Sequence, residues 1–132
     1  MRRLALAAAL VALAGCDTAI PAAEGVVLVG IVEPADAPVL LLELDGPTGC
    51  AMLDVASELV VETGLTTLFA EVRGLAGADD TCTIPQPASA WVPLPLAPVR
   101  SIVVRHAGEP NVYRLDADGV LVPESTPTTR LR

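Results

Sequence analysis

Short apolar runs, each cut off within a few residues by proline or glycine, limit what this chain can fold into. Val39 to Asp45 alternates, with Leu40, Leu42 and Leu44 on one face and Glu43 and Asp45 on the other, the pattern of a half-buried strand. Gly25 to Val32 is a nearly continuous apolar run rich in Val. It predicts a strand buried on both faces, although pattern alone also admits a short buried helix. Pro34 and Pro38 bracket a turn, and Gly46-Pro47-Thr48-Gly49 marks another. Residues 50–61 fit two readings. Met52, Val55, Leu59 and Val60 suit a helical stripe with Asp54 and Glu58 on the polar face, while Glu58 to Glu62 suits a strand equally well. Leu65 to Arg73 predicts a strand with Leu68, Ala70 and Val72 sharing a face, followed by an acidic loop of small residues from Gly74 to Thr81.

Pro85, Pro87, Pro93, Pro95 and Pro98 crowd the next segment. Each lacks an amide donor, so this stretch is an edge strand or a polyproline II run and not a central strand. Val99 to Arg105, Val112 to Leu115 and Val120 to Val122 then predict a three-strand meander, with turns at 108–111 and 116–119. Residues 25–122 thus read as one all-β domain, a small β-sandwich or open barrel with a possible short helix within 50–61. Residues 123–132 have the composition of a flexible tail.

Ahead of this domain, Met1-Arg2-Arg3 and the apolar stretch from Leu4 to Ala14 have the layout of a secretory signal. Eleven apolar residues span only about 16 Å as a helix, too short for a ~30 Å hydrocarbon core. Leu13-Ala14-Gly15-Cys16 resembles the lipobox of bacterial lipoproteins. In that family a peptidase cuts before the Cys, which carries diacylglycerol on its sulfur and usually an acyl chain on its amine. The resemblance implies a signal peptide over 1–15, a lipid on Cys16, a tether over 16–24, and a membrane-anchored protein on the periplasmic face or cell surface. Ala12-Leu13-Ala14 also fits an ordinary A-x-A cleavage site. The strand pattern resembles, in outline only, the immunoglobulin-like and transthyretin-like domains common in bacterial envelope lipoproteins.

Three cysteines are present, and an odd count in an exported chain needs an explanation. A lipid on Cys16 supplies one and leaves Cys50 and Cys82 as a pair in an oxidising compartment, where disulfides persist. Closing a loop of about 33 residues stabilises a fold by roughly 3–4 kcal/mol in the chain-entropy model. Such a staple suits a domain whose only aromatics are Phe69, Trp91 and Tyr113.

The formal charge of −8 falls to −10 once Arg2 and Arg3 leave, and every basic side chain is arginine. A chain this acidic is a poor partner for nucleic acid. Anionic headgroups repel it too, so acyl chains must do the anchoring. Catalytic constellations are weak. His106 is the lone histidine and reads as a surface or turn residue at a strand end, and no serine sits in a G-x-S-x-G setting. Asp116-x-Asp118-Gly119 has the opening of a calcium loop, but position twelve is Pro127, so a hairpin turn fits better. Asp79-Asp80, Glu33 and Asp36 read as solvated loop carboxylates. No cofactor or metal is implied. Trp91, set among prolines, is the one candidate partner contact, against the simpler expectation that it fills a thin core. The chain reads as a lipid-anchored envelope protein with a non-catalytic binding or assembly role. A passive structural lipoprotein is the alternative, and a small hydrolase a distant one.

Overall fold

A computed structural model describes residues 21–46, 48–77, 82–95 and 98–132. The signal, the lipobox with Cys16, and Asp79-Asp80 lie outside these residues. The described chain contains nine strands and no helix: β1 (Val27–Val32), β2 (Val39–Leu44), β3 (Met52–Glu62), β4 (Leu65–Ala76), β5 (Ser89–Pro93), β6 (Val99–His106), β7 (Glu109–Leu115), β8 (Leu121–Ser125) and β9 (Thr129–Leu131). They form a four-stranded sheet, β5-β2-β1-β9, packed against a five-stranded sheet, β3-β4-β6-β7-β8. The sandwich reading therefore holds, and the sheets do not close into a barrel.

Alternation places the core. Val27, Val29, Leu40, Leu42 and Leu44 line the inner face of the four-stranded sheet in register, Val29 opposite Leu42 and Val27 opposite Leu44. Leu68, Ala70, Ile102, Val104 and Tyr113 do the same from the five-stranded sheet. The meander β6-β7-β8 forms, antiparallel throughout. The proline segment supplies an edge strand, β5, paired with β2 on one side only.

One open reading is resolved and three expectations need correction. Residues 52–62, which fitted helix and strand equally, are strand, because β3 pairs with β4 in one long hairpin around Thr63-Gly64. β1 is buried on one face, since its other face lies on the outside of the sandwich. The tight turn after β6 falls at Ala107-Gly108, both with positive φ, so Pro110 and Asn111 lie inside β7. Residues 123–132 contain strand where a tail was expected: their start extends β8, and β9 adds to β1 as a parallel strand with Thr129 buried.

Strand directions define two ends. Pro21, Gly25, the Cys50–Cys82 bridge and His106 gather at one. The Thr63-Gly64 tip and the Asp116–Gly119 turn lie at the other. Pro21 is pinned there, its carbonyl accepting the Leu75 amide at 2.8 Å.

Candidate functional site

Trp91 is not core. It sits mid-strand on β5, 60% exposed, while its neighbour Val92 is buried. The period-2 geometry of a strand explains this. Val92 is the inward position, so Trp91 must face out. In register across the outer face, Trp91 lies opposite Leu41, and Leu41 opposite Gly30. Arg132 closes this row. Its amide bonds the Val29 carbonyl at 3.0 Å, and its Cβ lies 3.4 Å from where a side chain at Gly30 would begin. Leu41 is only 6% exposed although it points away from the core. The row is thus an indole at a proline-bounded edge, then a covered leucine, a bare glycine and an arginine. Glu43 approaches Arg132 at 3.8 Å. An exposed tryptophan on rigid strand backbone is the kind of side chain that anchors an interface.

The staple is formed as expected: Cys50 and Cys82 are bridged, with Cα atoms 5.8 Å apart. Around it, the Gln86 amide donates to the Gly49 carbonyl at 2.8 Å, the Thr48 amide to the Gln86 carbonyl at 3.2 Å, and the Ala88 amide to Thr48 Oγ1 at 2.8 Å. A depression of about 410 Å³ beside the bridge is lined by Met52, Ile84, Gln86 and Pro87 among others. A second, about 480 Å³, opens on the outer face of the five-stranded sheet between Phe69, Glu71, Val103 and Arg105.

His106 also departs from expectation. It is 3% exposed, not a surface residue, and its Nε2 lies 2.7 Å from the Gly25 carbonyl. A carbonyl only accepts, so Nε2 carries the proton. This bond ties the start of the domain to the end of β6, and no serine is its partner. Asp116 Oδ1 accepts the amides of Asp118 and Val120, each at 2.9 Å, which makes 116–119 a self-capped turn. Glu33 and Asp36 are exposed in the β1–β2 turn. No cluster of three metal-ligating side chains occurs among the described residues.

The polar centre that sequence reasoning missed is Asn111. Fully buried on β7, it accepts the amides of Thr128 and Thr129 at 2.9 and 3.0 Å through Oδ1. Its Nδ2 reaches the carbonyls of Val104 and Glu109 and Thr128 Oγ1, at 3.0, 3.1 and 2.8 Å. Thr128 Oγ1 donates in turn to the His106 carbonyl at 2.9 Å. This network is saturated and structural: no buried side-chain polar atom among the described residues lacks a partner. The only hint in the sequence was an Asn two residues before a Tyr at a strand start, which reads as a turn.

Comparison with protein-family models, with curated proteins and with solved structures finds no match to this chain.

Proposed function

We propose that this chain is a lipid-anchored envelope protein whose β-sandwich has a non-catalytic binding or assembly role. The observation that carries the binding part is the exposure of Trp91 on the outer face of β5. Strand phase turns the indole outward on a rigid backbone, and tryptophan is among the most enriched residues at interface hot spots. The anchoring part rests on Leu13-Ala14-Gly15-Cys16 and on the disulfide, which fits an oxidising compartment. His106, engaged with a backbone carbonyl, favours a structural over a catalytic role.

On this reading the domain sits close to its membrane. Pro21 is already held by Leu75, so four residues, 17–20, separate it from the lipidated cysteine. They reach about 13–14 Å at most, half of what the whole stretch to Glu24 allows.

Two measurements test the proposal. Mass spectrometry of the N-terminus should find acylated Cys16; an unmodified Gly15 or Cys16 start removes the anchor. A photo-crosslinker at position 91 in native membranes should capture one recurrent partner, and Trp91→Ala should lose it at near-native melting temperature, since a hot-spot truncation costs about 2 kcal/mol or more of binding. An unchanged captured set in the variant favours the passive structural lipoprotein instead.

A further inference from the structure

We propose that the free edge of β3 is a docking site for an extended segment of another protein in which basic and aliphatic residues alternate. A sheet edge is a row of unpaired amides and carbonyls, and folded proteins blunt such edges with charged side chains, proline, bulges or brevity. Three edges of this sandwich are blunted. β5 carries Pro93, β8 carries Pro123, and β9 has three residues. β3 is eleven residues long without proline, and among the described residues no strand pairs along its outer side. Its charges are all carboxylates (Asp54, Glu58 and Glu62) and so repel acidic strands but not basic ones. Its one irregularity, the bulge at Asp54/Val55, lies near its start and leaves Val55 to Glu62 regular.

The two faces of this edge specify the occupant. On the inner face, cover from the four-stranded sheet fades along the strand: Leu53 is buried, Val55 half-buried, Leu59 47% exposed and Val61 68% exposed. An added strand with aliphatic residues at alternate positions continues that face. On the outer face Glu58, Glu62 and, from β4, Glu71 are exposed. Of the two nearby cations, Arg73 is bonded to Asp54 at 2.9 Å and Arg105 stands opposite Glu71 on β6, two strands in from this edge, which leaves Glu58 and Glu62 facing the open side. The intervening positions of the added strand are therefore complemented by lysine or arginine. A second copy of this chain fits poorly. Antiparallel addition about a dyad through Ser57, Glu58, Leu59 or Val60, continuing both sandwiches on one side, sets Glu58 opposite or diagonal to a carboxylate of the other copy. Like charges there are destabilising. The formal charge of −8 adds to the repulsion. Main-chain bonds would supply affinity and the alternating side chains specificity. This site shares no residue with the Trp91 face and does not depend on the lipid anchor.

The test is hydrogen–deuterium exchange of the full chain with a capped nine-residue peptide alternating lysine with valine or threonine. The expected result is saturable binding with exchange slowed across 55–62. Three controls leave the fold alone. N-methylation of alternate peptide amides should abolish the protection, grouping the lysines at one end should weaken it, and exchanging lysine for glutamate should remove it. Glu58→Lys with Glu62→Lys should weaken binding about tenfold or more, whereas Trp91→Ala should leave it unchanged. Protection elsewhere, equal binding of the glutamate or the N-methylated peptide, or a dimer by light scattering with β3 already protected would overturn the proposal.

Discussion

The hydroxyl of Tyr113, on β7, meets Oγ1 of Thr129, on β9, in a buried hydrogen bond that joins the two sheets of the sandwich. Tyr113 is fully buried and is the only aromatic side chain in the core. Its position gives the fold an alkaline limit. Burial raises the phenol above its usual value near 10, and the hydrogen bond to Thr129 offsets part of that shift. The unfolded chain therefore gives up this proton at lower pH than the folded chain. The contribution is intact below about pH 10 and is lost as pH rises through the higher folded value. Denaturant melts from pH 8 to 11.5 should show stability falling above about pH 10, with a shallower slope in Tyr113→Phe. At pH 7 the same variant should cost about 1 kcal/mol for the lost hydrogen bond.

Asn111→Ala should be among the most damaging single changes. It leaves the Thr128 and Thr129 amides without their acceptor inside the sandwich and leaves the Tyr113–Thr129 bond as the remaining side-chain tie between β7 and β9. Each buried orphan donor costs about 1–3 kcal/mol, so a total above about 3 kcal/mol is expected. Urea melts measure it. Exchange of the β9 amides should rise well before global unfolding; unchanged β9 protection would show that the strand is held by something other than Asn111.

Asn111 also shows where the sequence stopped being legible. Strands whose apolar residues alternate against a core, such as Val39 to Leu44 and Leu65 to Arg73, announce themselves, because burial of one face is written in every second residue. The proline-bounded edge and the pairing of Cys50 with Cys82 were equally readable, one from missing amide donors and the other from cysteine arithmetic. β9 left no such trace. Thr-Arg-Leu is short and polar, and its partners are a buried asparagine and tyrosine instead of aliphatic side chains. Trp91 misled for a related reason. Scarcity of aromatics suggested that each was needed inside, yet the inward position on β5 belongs to Val92, one residue away. Strand phase, which a five-residue segment rich in proline does not reveal, decided between core and surface.

The disulfide should act through the open chain more than through local contacts. Four hydrogen bonds already clip residues 48–49 to 86–88. Cys50→Ser with Cys82→Ser should therefore keep the β-sheet circular dichroism of the parent. The unfolding free energy should fall by about 2–4 kcal/mol, the usual range for losing a disulfide and close to the roughly 3–4 kcal/mol of the chain-entropy model for this loop. A thiol count on the denatured, unreduced parent should find neither Cys50 nor Cys82 free.

The hairpin tip that ends β3 offers a gain instead of a loss. A two-residue turn of this kind requires positive φ at both central positions, which favours Asn-Gly. Here the pair is Thr63-Gly64, with φ of 48° and 78°. A β-branched residue in the left-handed region is strained, and asparagine tolerates it far better. Thr63→Asn should stabilise the domain by about 0.5–1 kcal/mol and raise its melting temperature by a few degrees. Gly64→Ala is the matching test in the opposite direction. Nothing lies within 4 Å of a methyl group placed there, so its cost is backbone strain alone, about 1–2 kcal/mol. If both variants melt like the parent, the tip opens before the sandwich does, and the outer half of β3 is held by its flanking strand and not by its turn.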